Sequence, residues 1–465
     1  MKRDLLADLR NGVKLGLKEQ LELIIRLSIP GILAQISTIL MEYIDASMVG
    51  RLTPEDSAAI GLVSSTIWLF GGINLAAGTG FNVQVAHYIG ANDEKKARHI
   101  VKQGLLVSFA ISLLMMALAV SVSGVLPYLL GGDPAICARS TKYFKVYAFA
   151  MPVMMLNYLV SGMIQCSGNM RFPSIMHILM CIMDVIFNMF MIFPTREYMI
   201  FGSYIILPGL NLGVTGASLG TVTATAVGVF VMLFYLIFVS PSLRLRDREG
   251  LQISKKDMTQ AVKIAAPIGL EQIVMCGAQV ASTKIVSPLG NIAISAHSFA
   301  VTAESLCYMP GYGIGAAATT LIGQSIGAKR DDLTKRLGWL CVLLGMGVMA
   351  LAGIFMYIFA PEMIGILTPN PEIRALGTAI LRIEAFAEPF YAASIVCNGV
   401  FRGAGDTLVP CILNLCSMWI IRLPLAALLA ARIGLRGVWI AMCIELTCRG
   451  IFLLVRLYRK KWERL

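Results

Sequence analysis

Long apolar runs separated by short polar segments dominate the pattern along this 465-residue chain. A helix that crosses the hydrocarbon core of a bilayer needs about 20 mostly apolar residues. Strands of a membrane barrel would instead appear as shorter segments of alternating polarity. The pattern therefore predicts an all-α polytopic membrane protein with twelve spans, at 31–50, 59–89, 103–126, 142–165, 174–194, 214–240, 267–288, 292–326, 338–360, 376–400, 410–430 and 437–457.

The segments between and around these spans predict the domain organisation. In the N-terminal segment, residues 1–26, Leu5, Leu9 and Val13 recur every four residues among basic side chains, which is typical of an amphipathic helix on the membrane surface. The alternative is that this segment extends the first span. The remaining predicted units are a six-helix lobe at 27–240, a charged linker at 241–260, a second six-helix lobe at 261–457 and a basic tail at 458–465.

Composition and charge placement agree with a membrane location. Only 14% of the residues are charged and the mean hydropathy is +0.75, whereas soluble proteins carry about 25% charged residues. Lys and Arg are roughly threefold more frequent in one alternating set of loops than in the other. This bias predicts cytoplasmic termini in the plasma (inner) membrane, and it explains the net charge of +12 without a nucleic-acid partner. Membrane lipids and small molecules are the expected partners of a monomer.

The chain contains an internal repeat. At one constant offset, "IPGILAQ" falls on "APIGLEQ" and aligns Pro30 with Pro267, while "SGNMRFP" falls on "AGDTLVP" and aligns Gly168 with Gly405. Each copy holds six predicted spans, so both copies enter the membrane from the same side. We expect two lobes related by a pseudo-twofold axis along the membrane normal, with a cavity between them. Pro30 and Pro267 are expected to bend their helices.

Several repeated motifs resemble those of the multidrug and toxic compound extrusion (MATE) family. Pro30 is followed by Asp45 and then by "VGRL" at Val49–Leu52, and "IGAND", "GNMRFP" and "GVTGA" occur in the family's order. The resemblance implies a secondary active antiporter, which is not an enzyme and needs no cofactor. Such proteins expel organic cations or amphipathic drugs from a cavity between two rocking lobes, with Na⁺ or H⁺ as the coupling ion.

Two carboxylates and two other polar side chains within the first-lobe spans are candidates for ion coupling. An ionisable residue inside a membrane costs free energy, so we interpret Asp45 and Asp184 as functional residues. Asn188 follows Asp184 by one helical turn. The resemblance implies that these three residues and Thr221 form a proton or Na⁺ site, although "MDVIFN" reverses the family's Asn–Asp order. The alternative is that Asp184 and Asn188 only hold helices together; no other metal site is predicted.

Other polar and methionine residues in the spans are candidates for the substrate cavity: Gln35, Met41, Glu42, Met183, Glu271, Gln272, Lys284 and Arg422. If Lys284 and Arg422 both face this cavity, a zwitterionic or anionic metabolite, or a lipid-linked oligosaccharide in a flippase, becomes an alternative substrate. The alternative for Lys284 is that its long side chain extends to the outer membrane–water interface. The i, i+4 spacing of Glu445 and Arg449 predicts an ion pair within one helix. His177 and His297 are expected to be hydrogen-bonded in the interior.

Overall fold

The structure is a computed structural model, and it describes residues 4–50, 52–200, 203–245 and 253–459. Residues 246–252 of the predicted linker and residues 460–465 of the predicted tail lie outside the described residues. Helices dominate the fold because lipid cannot hydrogen-bond to backbone groups, so a spanning segment must satisfy them internally.

The first lobe is built from α2 to α9, preceded by the short helix α1. Capping residues define where the helices start. The side chains of Thr53 and Asp133 accept backbone N–H groups in the first turns of the helices that begin at Pro54 and Pro134. The helices are α1 (Leu5–Arg10), α2 (Leu17–Val49), α3 (Pro54–Gly90), α4 (Glu94–Val122), α5 (Leu126–Leu129), α6 (Pro134–Phe149), α7 (Met151–Cys166), α8 (Arg171–Ile192) and α9 (Gly213–Phe234), which a π-helical turn (Tyr235–Val239) extends.

The second lobe is built from α10 to α17 and repeats the same order of elements. Asn370 caps α13 ahead of Pro371, at the position equivalent to Asp133 and Pro134 in the first lobe. The helices are α10 (Lys255–Val286), α11 (Asn291–Gly327), α12 (Asp331–Leu367), α13 (Pro371–Glu384), α14 (Glu388–Ala404), α15 (Leu408–Cys416), α16 (Leu423–Ile433) and α17 (Leu435–Tyr458). A 3₁₀ turn (Ser287–Leu289) follows α10, and a π-helical segment (Ser417–Arg422) joins α15 to α16.

Twelve spans in two lobes account for these helices. Within the described residues, nine spans are long and apolar enough to be recognised by hydropathy, or ten when the pair α6 and α7, bent by 48°, is one span. The other two are α11 and the pair α13 and α14. The reasons differ: α11 is rich in Gly, Ser and Thr, which lowers its hydropathy, while α13 and α14, with 14 and 17 residues, are each too short to be recognised alone.

One part of the fold is not helical. The loop that follows α8 forms an antiparallel hairpin of β1 (Pro194–Ile200) and β2 (Ser203–Leu210), whereas the sequence predicted an all-α fold with spans that end at 194 and begin at 214. The stretch contains two Tyr and three Ile, which favour strands. Because a hairpin has open edges, we expect it to lie outside the hydrocarbon region.

The N-terminal segment also differs from the predicted surface helix. Only six residues form α1, and its Leu5, Leu6 and Leu9 are buried in a core cluster of the protein itself. The first membrane helix already begins at Leu17. The apolar face of α1 thus packs on protein, and residues from 17 onward belong to α2. The location of the segment 1–26 at the membrane surface stays a prediction.

The internal repeat is visible in the backbone of the connecting turns. Asn92 and Lys329 occupy equivalent positions and both adopt positive φ, at 56° and 55°. Gly168 and Gly405 are likewise equivalent, with φ of 100° and 83°. Positive φ is costly for most residues and free for glycine, so these turns constrain the backbone in the same way in both lobes.

A matched pair of polar contacts supports the same repeat inside the membrane. In the first lobe the hydroxyl of Ser161 and Nε2 of His177 are 3.2 Å apart. At the equivalent positions of the second lobe, Nδ2 of Asn414 donates to Oδ1 of Asn398 over 3.4 Å. The contact of His177 agrees with the expectation of a hydrogen-bonded interior histidine. The two lobes thus keep the position of this contact while changing its chemistry.

The lobes approach each other most closely at one end, called here the basic end: α1 and the turns at 91–93, 167–170, 328–330 and 405–407. There Nε2 of His87 and the carbonyl of Gly403 are 2.7 Å apart, and Nε2 of Gln324 donates to the carbonyl of Cys166 over 2.8 Å. Farther from this end, the hydroxyl of Tyr43 on α2 donates to the carbonyl of Thr302 on α11 over 2.6 Å. The interface between the two lobes, called here the seam, is therefore closed at the basic end.

Glycines permit the tightest contact between α2 and α11. A Cβ atom on Gly31 would lie 2.7 Å from the carbonyl oxygen of Gly313, which is closer than real Cβ atoms come. Gly31 directly follows Pro30, which lies inside α2 as Pro267 lies inside α10. The bends expected at these prolines remain predictions.

We predict that Gly313→Ala lowers the thermal stability of the purified protein. The new Cβ would overlap the backbone nitrogen of Ile32, and such overpacking costs about 1–3 kcal/mol. Gly347→Ala is the matched control, since a Cβ there meets nothing within 4 Å. A melting temperature for Gly313→Ala equal to that of the control would show that α2 and α11 are not in close contact.

Candidate functional site

The first lobe brings the four predicted ion-coupling residues together. Asp45 lies on α2, Asp184 and Asn188 lie on α8, and Thr221 lies on α9. Nδ2 of Asn188 donates to Oδ1 of Asp45 over 2.7 Å and to Oδ2 of Asp184 over 3.2 Å. The hydroxyl of Thr221 lies 3.3 Å from Oδ2 of Asp45 and 3.1 Å from the carbonyl of Ala217.

Burial of this cluster raises the free-energy cost of ionising both of its carboxyl groups. Asp184 and Asn188 are fully buried, while Asp45 is partly exposed. Among the described residues, Oδ1 of Asp184 and Oδ1 of Asn188 have no hydrogen-bond partner. One amide group cannot compensate two negative charges, and like charges at this range disfavour each other's ionisation. The cluster can therefore hold a proton on one carboxyl group, or a small cation among its carboxylate, amide and hydroxyl oxygens.

The approach of α9 to α8 depends on the glycines of the "GVTGASLG" stretch. A Cβ on Gly216 would overlap the carbonyl oxygen of Met191, and one on Gly220 would overlap Oδ1 of Asn188. Small residues allow such close helix contacts in membranes. The glycine spacing thus brings Thr221 next to the α8 carboxylate and amide.

Two aromatic residues beside the cluster were missed in the sequence. Tyr143 and Tyr147 lie on α6 with ring centroids 5.2 Å apart, and the hydroxyl of Tyr147 interacts with that of Thr221. Tyr143 packs in the same core cluster as residues of α8 and α9. Their i, i+4 spacing on a predicted span was the available sign, but it does not distinguish a site residue from a packing residue.

Comparison with known proteins decides the family. The model of the MatE family matches this chain twice, at residues 30–190 and 267–428. The chain belongs to the MATE family. The two matched segments start at the equivalent residues Pro30 and Pro267, so the family's repeated unit is the repeat found within this chain.

Relatives of this MATE protein extend over nearly its whole length. A probable multidrug resistance protein NorM of Thermotoga maritima is 26% identical over 447 residues, which are 95% of this chain and 93% of the relative. A probable NorM of Oceanobacillus iheyensis is 25% identical and covers 95% and 97% of the two chains. Members of the family are transporters, not enzymes.

Solved structures share the fold. An outward-facing multidrug resistance MATE family transporter of the MOP superfamily superposes with a TM-score of 0.86 at 18% identity, covering 99% of this chain and 98% of that one. The Vibrio cholerae MATE transporter VcmN in its bent form gives 0.83 at 18% identity, covering 95% and 97%. A MOP superfamily transporter from Pyrococcus furiosus gives 0.88 at 18% identity, covering 99% and 98%.

The predicted cavity residues of the first lobe have different surroundings. On α2, Gln35 and Met41 are half-buried, and Glu42 is exposed. Met183 instead packs against a core cluster inside the lobe, so it contributes to packing. Glu42 is therefore a charged side chain of the spans that is open to its surroundings, one turn from Asp45.

Three predicted cavity residues of α10 are also placed by the structure. Oε1 of Glu271 accepts a hydrogen bond from Nδ2 of Asn414 over 2.8 Å. Gln272 packs across the seam, where a Cβ on Gly72 would lie 2.7 Å from its Cγ. Lys284 is exposed near the end of α10, which agrees with either of its two predicted locations.

Arg422 lies within the second lobe, in a network of buried charges. Oε1 and Oε2 of Glu445 accept hydrogen bonds from Arg449 over 2.7 and 2.8 Å, which confirms the predicted intrahelical ion pair. Nη1 of Arg422 lies 4.0 Å from Glu445, and its side chain is only 11% exposed. The nearby His297 accepts a hydrogen bond from Nε1 of Trp439 over 3.1 Å, as expected for an interior histidine.

Three buried acids close to this network were not singled out in the sequence. Glu304 lies on α11, and Glu384 and Glu388 flank the break between α13 and α14. They interact electrostatically with one another, and Glu304 also interacts with Arg422. Among the described residues, no oxygen of Glu384 or Glu388 has a hydrogen-bond partner. Their position within predicted spans was the sign that could have identified them.

We predict opposite outcomes for two neutralising substitutions in this network. Glu445→Gln leaves Arg449 without its buried counter-charge and should destabilise the protein by about 3–5 kcal/mol. Glu384→Gln removes a carboxylate that no donor satisfies, so stability should be nearly unchanged or higher. Thermal unfolding of both variants measures the difference. Equal losses would mean that Glu384 has an ionic partner comparable to that of Glu445.

Proposed function

We propose that this MATE protein is a secondary active antiporter that exports small organic cations or amphipathic drugs in exchange for inward-moving Na⁺ or H⁺. The observation that carries the proposal is the pair of carboxylates, the partly exposed Asp45 and the fully buried Asp184, joined by one amide group of Asn188. A site with more negative charge than its donors compensate binds a cation, and a cation bound from one side and released to the other can couple transport to a gradient.

Coupling requires that ion binding changes the contacts between helices. Asp45 lies on α2, which also packs across the seam on α11 through Gly31 and Gly313. Loading a proton or Na⁺ removes the repulsion between Asp45 and Asp184 and lets α2 move relative to α8. We infer that this movement shifts the balance between a state closed at the basic end and a state open there.

The substrate class is inferred from relatives and from the exposed acid. The similar NorM proteins are named as probable multidrug resistance proteins. Glu42 is an exposed acid on α2, one turn from Asp45, which suits a cationic substrate, and half-buried residues such as Met41 adapt to ligands of different shape. Positive charges in one set of loops support a plasma-membrane protein with its basic end and both termini in the cytoplasm.

A zwitterionic or anionic substrate is the second candidate. Lys284 is exposed at the position equivalent to Ser47 of the first lobe. In its cavity-facing location it would give one wall of the cavity a positive charge. Arg422 gives less support to this alternative, or to a lipid-linked oligosaccharide flippase, because it is paired inside the second lobe.

Flux in proteoliposomes tests the proposal. Uptake of a fluorescent organic cation into inside-out vesicles should depend on an imposed Na⁺ or H⁺ gradient and should stop when the gradient is collapsed. Transport of an anionic probe alone would favour the second candidate, and flux independent of both gradients would reject the antiport mechanism.

We predict that Asp45→Asn abolishes gradient-driven export while substrate still binds. The amide keeps nearly the same shape but removes the charge that the coupling ion compensates, so transport should fall at least tenfold as an order of magnitude. Asp331→Asn, at an exposed position in the first turn of α12, is the matched control. Full drug resistance in cells that carry only Asp45→Asn would make this acid structural.

We predict that the double substitution Asp184→Asn with Asn188→Asp retains transport. It restores the family's order and moves the acid by one helical turn, about 5.4 Å, toward Asp45, which already contacts residue 188. Asp184→Asn alone should weaken coupling without removing substrate binding. If the single and double variants are equally inactive in the flux assay, the position of the charge matters more than its presence.

A further inference from the structure

The segment 4–16 forms a compact structure at the basic end and is called here the N-terminal latch. Asp4 caps α1 by accepting the backbone N–H groups of Leu6 and Ala7 over 3.1 and 3.2 Å. Leu9 is fully buried, and Leu5 and Leu6 are nearly so. After α1 ends, Leu15 is buried too, and its carbonyl accepts a hydrogen bond from Gln20 over 2.8 Å. Buried leucines thus fix the latch both before and after the turn that follows α1.

The latch contacts the first lobe through the turn between α3 and α4. Nδ2 of Asn92 lies 3.5 Å from the carbonyl of Arg10 and 3.4 Å from Oδ1 of Asn11. A second contact involves the turn after α7, where a Cβ on Gly168 would lie 2.8 Å from Cδ1 of Leu6.

The latch contacts the second lobe through the turn between α11 and α12. Nη1 of Arg330 donates to the carbonyl of Val13 over 3.2 Å. The buried leucines of α1 belong to the same core cluster as Leu321 of α11 and Leu333 of α12. This apolar contact and the hydrogen bond lie on the opposite side of the seam from Asn92.

The two turns that hold the latch are equivalent in the repeat, because Asn92 corresponds to Lys329, which precedes Arg330. Where the latch lies, backbone from the two lobes is in contact: a Cβ on Gly90 would overlap the carbonyl oxygen of Gln324, and one on Gly327 would overlap that of His87. If the lobes separate at the basic end, the two turns move apart. A short compact segment that is bound to both turns cannot move with both of them.

We propose that the N-terminal latch is a conformational device that stabilises the state closed at the basic end, and that it must leave one lobe before this end opens. The latch thereby sets the equilibrium between the two states without touching the ion site or the substrate cavity. The inference rests on the closed and open states of the proposed function, but not on its ion coupling, since it uses only contacts at the basic end.

Hydrogen exchange of the full-length protein in lipid nanodiscs, without substrate, tests the proposal. Asn92→Gly removes the side chain that contacts the latch and keeps the positive φ of this turn. We expect amide exchange to rise by roughly tenfold, as an order of magnitude, in the seam segments 84–92 and 320–330, together with faster exchange in α1. Lys329→Gly is the matched control at the equivalent turn of the second lobe, where φ is 55°.

A second variant addresses the apolar contact. Leu9→Asp places a charge at a fully buried position and should release α1, whereas Val13→Asp changes a residue that is 37% exposed and keeps the carbonyl that Arg330 contacts. Release of α1 with faster exchange in both seam segments supports the latch. Release of α1 with unchanged exchange in the seam overturns it. If Leu9→Asp fails to fold, the outcome for Asn92→Gly decides.

Discussion

The low dielectric of the membrane interior is the constraint on which this structure depends. A charge buried there is tolerated only when it is paired, hydrogen-bonded or neutralised, and the two lobes meet this requirement in different ways. In the second lobe, Arg449 pairs with Glu445 through two hydrogen bonds, whereas Glu384 and Glu388 of the same lobe have no hydrogen-bond donor among the described residues. In the first lobe, Asp45 and Asp184 share one amide group, so the charge balance stays incomplete. An incomplete balance is what a reversible ion site requires.

Duplication followed by divergence accounts for this difference. The backbone of the turns is preserved, as the matched positive φ values of Asn92 and Lys329 show, because turn geometry decides how helices pack. Polar contacts inside the lobes are free to change. The pair Ser161 and His177 of one lobe is replaced by Asn398 and Asn414 in the other, where Asn414 also contacts Glu271. A shared scaffold thus presents different chemistry on the two sides of the seam.

In the proposed antiport mechanism, close contacts between backbones would connect the proposed ion site to a movement of the lobes. The same helix, α2, carries Asp45 and meets α11 at Gly31, so a change at the carboxylates acts on an element of the seam. At the basic end the N-terminal latch adds contacts to both lobes. A small local change at the carboxylates or at the latch is sufficient for such a movement, because a packed interface switches between discrete arrangements and does not deform continuously.

The sequence by itself determined the membrane class, the twelve spans and the repeat, because each depends on local composition or on residue spacing. It also determined the Glu445–Arg449 pair, which one helix is sufficient to define. The grouping of Asp45 with Asp184, Asn188 and Thr221 came from the resemblance to the MATE family. Only the tertiary structure decided that Asn188 reaches both carboxylates, that Arg422 lies inside the second lobe, and that Glu304, Glu384 and Glu388 interact. Those contacts join helices far apart in the chain, and helical periodicity does not specify which faces meet. The apolar face of α1 shows the same limit: its leucines are amphipathic in sequence, but whether they meet lipid or protein depends on the turns that the fold places beside them.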